Sequence, residues 1–234
     1  MFIKSNRRLT RRVSFNLIWL LVLLAAAAPA ALADELAIWN FNDSDLTVDH
    51  GGGTLVTNLN AANILFASGT TTNARLGDPA GQSLSLQGGS STANNGRQIT
   101  FNVSTLGFSN IIVSFATQGT STGFNSNQFQ YSLDGTTFVN FAAPYTPASA
   151  FGSVPLVFSL AAIAELADNP NAAFRIVFNG ATSSTGTNRI DNFVVEGTPL
   201  TTSVPEPTSA VLLLTSLSGL YRVRKRRRAA KTQP

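Results

Sequence analysis

Three aspartates spaced closely after the first apolar stretch of the mature chain, Asp43, Asp45 and Asp49, carry the most conspicuous chemistry in these 234 residues. Carboxylates gathered in one loop offer the hard oxygen ligands that Ca²⁺ takes. The run Asn42-Asp43-Ser44-Asp45-Leu46-Thr47-Val48-Asp49 lacks the central glycine and closing glutamate of an EF-hand loop. A solvated acidic loop is therefore the plainer reading, and a cation loop the sharper one. His50 is the sole histidine and precedes Gly51-Gly52-Gly53. A His–Asp pair can serve as a base, yet no serine lies in an elbow motif and nothing completes a triad. No Gly-Lys-Ser or Gly-Lys-Thr follows the glycines, so they are not a phosphate loop. Glycoside hydrolysis needs two carboxylates held across a cleft. Asp134 reads as a turn residue and Glu165 lies in a helix-prone segment, while Asp191 and Glu196 are five apart on one strand and face opposite ways. No catalytic pair emerges, and a noncatalytic protein is expected. With no cysteine, disulfides, thiolate chemistry and cysteine metal sites are excluded.

Aromatic side chains are the other candidate chemistry, because sugar rings stack on exposed aromatic faces. Trp39 alternates with Ala37 and Phe41 and reads as core. Phe124 and Tyr145 fall in loop segments and are the expected ligand-binding residues.

The elements that must position these groups are short strands joined by polar loops. The chain is rich in Gly, Ser, Thr, Asn and Phe, and apolar residues alternate with polar ones. Strands are predicted over 35–42, 54–59, 83–87, 98–103, 111–117, 128–133, 138–141, 156–159, 174–178 and 192–195. Ile99, Phe101 and Val103 share one face, with Gln98, Thr100 and Asn102 on the other. Ile111, Val113 and Phe115 repeat the pattern, as do Phe174, Ile176 and Phe178. Asp134-Gly135 marks a tight hairpin turn. Leu160–Leu166 is helix-prone and ends at Asp168-Asn169-Pro170, giving one short crossover helix. The expected fold class is all-β, an antiparallel sandwich or jelly roll over residues 34–197. Residues 198–203 read as a linker. Arg189, two residues from Asp191, is placed to pair with it.

The two ends are of a different character. Lys4, Arg7, Arg8, Arg11 and Arg12 precede an apolar stretch and Ala31-Leu32-Ala33, the pattern of a signal peptide over 1–33. At the other end a short apolar run precedes Arg222, Arg224, Lys225, Arg226, Arg227, Arg228 and Lys231. Such a cluster fits the positive-inside rule, and the run is short against the roughly 20 residues of a full span. Between Asp34 and Ser203 only four arginines stand against eleven carboxylates, a net charge of −7. The chain's overall +4 thus belongs to its ends. The body has no basic patch for nucleic acid.

Val204-Pro205-Glu206-Pro207, followed by an apolar run and an Arg-rich end, resembles the PEP-CTERM sorting signal. That resemblance covers about 204–228 of the terminal segment 204–234, with Lys231-Thr232-Gln233-Pro234 extending past the usual basic stop, and implies that Pro205, Glu206 and Pro207 are recognised by an exosortase. It implies an exported protein, held at the inner membrane as a precursor and passed to the cell surface or extracellular matrix, often beside exopolysaccharide. The body, through YSLDGTTF and NPNAAFRIVFNGATSSTGTNRIDNFVVEG, resembles extracellular jelly-roll modules of the galactose-binding-like kind. That resemblance implies a structural Ca²⁺ at Asp191, with Asn42 or Asp43 as company. The expected function is that of an exported structural protein of the surface or matrix. A carbohydrate-binding module for exopolysaccharide is the alternative, and a polysaccharide-acting enzyme a third.

Overall fold

The computed structural model describes residues 33–200. The expected sorting signal, and all of the expected signal peptide except Ala33, lie outside the described residues. Among these, strands are β1 (Asp34–Trp39), β2 (His50–Gly51), β3 (Thr54–Thr57), β4 (Ile64–Ser68), β5 (Gln82–Gln87) and β6 (Gln98–Asn102). They continue as β7 (Phe108–Gly119), β8 (Gln128–Ser132), β9 (Phe138–Asn140), β10 (Leu156–Ser159), β11 (Ala173–Val177) and β12 (Thr187–Pro199).

Two antiparallel sheets result. The five-stranded sheet has the order β3-β6-β11-β8-β9. The seven-stranded sheet is built on β7 and the 13-residue β12. One flank of β12 pairs with β7 over most of its length. The other flank is shared: β5 covers Thr187 to Ile190, and β1 covers Phe193 to Gly197. β1 and β5 thus lie end to end along β12, and Asp191 and Asn192 face the junction. A β-bulge falls there, between Asp191 and Val194, with Asn192 at φ 49°. Asn residues tolerate this left-handed conformation better than most.

The period-two pattern is realised as read. Ile99, Phe101, Val113, Phe115, Phe174, Ile176 and Phe178 are buried between the sheets with Trp39 and Phe193. Phe101 stacks on Phe193 with ring centroids 3.5 Å apart, and Trp39 meets Phe101 edge-on at 4.9 Å. Such pairs contribute roughly 0.5–1.5 kcal/mol each beyond the area they bury.

The differences from expectation have local causes. β12 starts five residues earlier than predicted and runs to Pro199, two residues into the expected linker, because Thr198 and Pro199 still find partners in β7. β2 and β4 are additional edge strands; β4 (ILFAS) shows no polar–apolar alternation in sequence, because its outward residue Leu65 is apolar and exposed while Ile64 and Phe66 are partly covered. The helix expected at Leu160–Leu166 is a single 3-10 turn, Ala164–Leu166. Leu160, Ile163 and Leu166 turn toward the core, and a spacing of three suits i to i+3 hydrogen bonds better than an α-helix. Asp134-Gly135 lies within a five-residue loop between β8 and β9. There Asp134 accepts from the Thr136 and Thr137 amides and the Ser132 hydroxyl, which hold its carboxyl well below the usual range.

Candidate functional site

Every inward residue of a strand fixes an outward one. With Phe101, Phe129, Phe174 and Ile176 in the core, the outer surface of the five-stranded sheet is formed by their alternates. The register aligns these in rows across the strands. One row runs Asn140, Gln130, Arg175, Thr100, Val56. The next runs Phe138, Ser132, Ala173, Asn102, Thr54, with Ser132 and Ala173 covered and Phe138, Asn102 and Thr54 reaching the surface.

Hydrogen bonds lock the first row. Arg175 Nε donates to Gln130 Oε1 at 2.6 Å, and Gln130 Nε2 donates to Asn140 Oδ1 at 2.7 Å. The Arg175 guanidinium lies over the Phe138 ring, 3.6 Å from its centroid, a cation–π contact of about 0.5–2 kcal/mol. In the second row Asn102 Nδ2 donates to Thr54 Oγ1 at 3.1 Å. A shallow cavity of about 230 Å³, lined in part by Asn102, Ser104, Asp134 and Asn171, opens beside Asn102. The two rows contain no carboxylate. They present amides that both donate and accept, one fixed cation and an aromatic ring, groups suited to a polyhydroxylated ligand rather than to bond cleavage.

A second constellation lies on the seven-stranded sheet at the β1/β5 junction. Asp191 is fully buried. Its Oδ2 accepts from the Thr70 amide and its Oδ1 from the Asn192 amide at 2.9 Å. These bonds favour the ionised form, but burial outweighs them and pushes the carboxyl up to about 7. The neighbouring Asn192 Nδ2 donates to the carbonyls of Thr70 and Thr72. Asn73 Nδ2 donates to the Asn192 carbonyl, and Arg75 reaches both Glu35 and Glu196, a facing cross-strand pair. The loop after β4 is thereby laced onto the middle of the sheet.

Gly69 makes the tightest part of this lacing. A methyl group at this position would overlap the Ala80 carbonyl oxygen and Asp191 Oδ2, and would stand 2.6 Å from the Gln82 carbonyl oxygen. Three oxygens, one of them a carboxylate, thus converge beside a residue without a side chain. The point where they converge lies one bond length from Gly69 Cα, so they mark close packing of the loop on Asp191. Among the described residues no three His, Cys, Asp or Glu side chains gather.

The expected site residues fall unevenly. Asn42 reaches the same segment as Asp191: its Oδ1 accepts from the Gln82 amide at 2.9 Å and its Nδ2 donates to the Pro79 carbonyl. Asp43 lies instead with Asp45 and Asp49. Arg189 does not pair with Asp191, and its Nη1 donates to the Ser68 carbonyl. His50 stands 3.9 Å from Asp78, whose carboxylate also accepts from Asn40 Nδ2.

Phe124 and Tyr145 are corrected as surface aromatics. Phe124 is 1% exposed and packs on Phe178, with centroids 5.3 Å apart. Tyr145 packs on Phe115 and Phe158, and its hydroxyl is buried without a partner, which pushes it far above its ordinary value. A backbone bridge between Asn127 and Tyr145 draws this loop over the open end of the sandwich, and apolar rings fill it. The polar face itself was visible as the outward alternates Gln98, Thr100 and Asn102. The loop 69–82 carried no sequence signal beyond its Gly, Asn, Asp and Pro content.

The fold and these sites define an antiparallel β-sandwich with a polar sheet face. No family model matches the chain, and no curated protein matches it in sequence. Among solved structures, the chain is similar to the carbohydrate-binding module TmCBM61 in complex with β-1,4-galactotriose, at 10% identity and a TM-score of 0.42, covering 72% of this chain and 98% of that one. It is similar to the first CBM22 xylan-binding domain of a Paenibacillus barcinonensis protein, at 12% identity and a TM-score of 0.43, covering 74% and 99%. It is also similar to domain 4 of a GH43 extracellular arabinanase from Geobacillus stearothermophilus in complex with arabinotriose, at 14% identity and a TM-score of 0.43, covering 72% and 95%. What those proteins bind is a property of theirs.

Proposed function

We propose that the body is a noncatalytic polysaccharide-binding domain of an exported surface or matrix protein, and that it binds through the outer face of its five-stranded sheet. The observation that supports this most is the locked row Asn140–Gln130–Arg175, which holds amide donors and acceptors in place before any ligand arrives. Sugar hydroxyls need both kinds of partner, and side chains already fixed lose little entropy on binding. Affinity electrophoresis of the full-length chain against a panel of neutral and acidic polysaccharides tests the reading. Gln130→Ala or Asn102→Ala should each weaken binding about three- to tenfold, the loss of one or two hydrogen bonds. Absence of binding to any polysaccharide, with and without Ca²⁺, rejects it.

A structural Ca²⁺ is the second part of the proposal. Asp191 would be its carboxylate ligand, and Asn42 would steady the neighbouring segment through the Gln82 amide and the Pro79 carbonyl. Such an ion would supply the positive charge that the buried carboxylate lacks.

The sorting reading concerns residues 204–234. Replacing Pro205-Glu206-Pro207 by three alanines should leave an unprocessed, membrane-held precursor, detected by fractionation and immunoblot. Normal maturation of that variant would remove the exosortase from the account.

A further inference from the structure

We infer that Arg175 makes the polar sheet face selective for acidic glycans, docking a carboxylate of a uronic-acid-containing polysaccharide. This rests on the reading of that face as a polysaccharide site and names the class of sugar it takes. Four arginines, and no lysine, lie between Asp34 and Ser203. One of them is ion-paired, and two others each give one hydrogen bond to a backbone carbonyl. Arg75 bridges Glu35 and Glu196, Arg97 donates to the Asn58 carbonyl, and Arg189 donates to the Ser68 carbonyl.

Arg175 is different in kind. It projects from the centre of β11, the middle strand of its sheet. Among the described residues no carboxylate pairs with it, as none does with Arg97 or Arg189, so its place and its fixed orientation set it apart. Its guanidinium is nonetheless held, by the Nε bond to Gln130 and by the Phe138 ring, whose centroid lies 3.6 Å from Cζ. Neither Nη1 nor Nη2 donates to any described residue, and neither is among the buried atoms that lack a partner. Both therefore reach solvent.

A planar fork with its orientation fixed and its two terminal nitrogens open matches a carboxylate, which accepts two parallel N–H bonds. Within the rows no acidic side chain competes for it. The nearest carboxylate on this side is Asp134 in the β8–β9 loop, whose oxygen is taken by the Thr136 and Thr137 amides, while Glu35, Asp43, Asp45, Asp49, Asp78 and Glu196 belong to the opposite sheet and its loops. Their repulsion of an acidic polymer is screened over about 8 Å at physiological ionic strength. The flanking Gln130 and Asn140 are placed to meet the hydroxyls beside the docked carboxylate.

Polygalacturonate and its methyl-esterified form share one backbone and differ in the charge of the carboxyl. The full-length chain should bind the free acid on the order of tenfold more tightly than the ester, the worth of a charge-assisted bidentate contact. Added salt should weaken binding to the acid and leave binding to the ester nearly unchanged. Arg175→Gln should abolish the preference and Arg175→Lys should keep only part of it. Arg189→Gln, which removes the same charge from the other sheet, should keep all of it. Equal affinity for acid and ester, or binding only to neutral polymers, overturns the inference and leaves the polysaccharide reading standing. A preference that survives Arg175→Gln also overturns it, since bulk charge then carries the effect. Failure to bind these polymers and every neutral polysaccharide removes the parent reading as well.

Discussion

Gly69→Ala should lower the stability of the body by about 3–5 kcal/mol, the upper range for overpacking where backbone atoms must yield. The melting temperature should fall by about 10 °C in a domain of this size. The added methyl meets two carbonyl oxygens and the Asp191 carboxylate, none of them the far end of a flexible side chain. The loop can escape only by lifting off β12, which breaks the Thr70 amide's bond to Asp191 and the Asn192 bonds to Thr70 and Thr72. Thermal melting followed by circular dichroism measures the effect. A change under 1 kcal/mol, within the range of ordinary surface substitutions, would show that the loop is not packed as described.

The second large effect is pH-dependent and follows from Asp191. Its carboxyl is raised from 3.8 to about 7 in the folded state, chiefly by burial. Between these values the folded chain holds a proton that the unfolded chain has released, so stability is full below about pH 4 and falls as pH rises through 7. Three pKa units correspond to on the order of 4 kcal/mol, an upper figure for this one group. In chelator the melting temperature should therefore drop from pH 5 to pH 8. Ca²⁺ should restore it at pH 8, where the carboxylate is ionised, and do little at pH 5. Asp191→Asn should flatten the pH slope and remove the response to Ca²⁺, at a general cost in stability, because its amide must face one of two N–H donors. A wild-type melting curve indifferent to chelator at pH 8 would argue against the ion. A curve indifferent to pH would argue against the buried carboxylate.

The core was legible because strand alternation is a local property. Ile99, Phe101, Phe174 and Ile176 announce their faces within a few residues of themselves, and the structure buries them together. The polar face was legible by the same rule, as the other half of the alternation. What escaped was non-local. The lacing of loop 69–82 onto β12 depends on contacts between residues more than 100 positions apart, such as Thr70 with Asp191. Asp191 and Asn42 came from a likeness of phrasing to jelly-roll modules, and both stand at the β1/β5 junction. Phe124 and Tyr145 were misread because position in a loop was taken to mean exposure. Here the loops close the end of the sandwich and their rings serve as its plug.

The end-to-end arrangement of β1 and β5 has a consequence for how the chain could be rebuilt. The continuation of β1 at Asn42 already touches the start of β5 through the Gln82 amide. Along β12 the two therefore trace a single interrupted line. Everything between them is an excursion, and its three strands, β2, β3 and β4, all lie at sheet edges. Length and composition of the loops between Asp43 and Ser68 can consequently drift, shrink or acquire new modules while the central pairing of β12 with β1, β5 and β7, and the laced loop after β4, persist. The molecule is arranged like a book with a fixed spine and a replaceable insert.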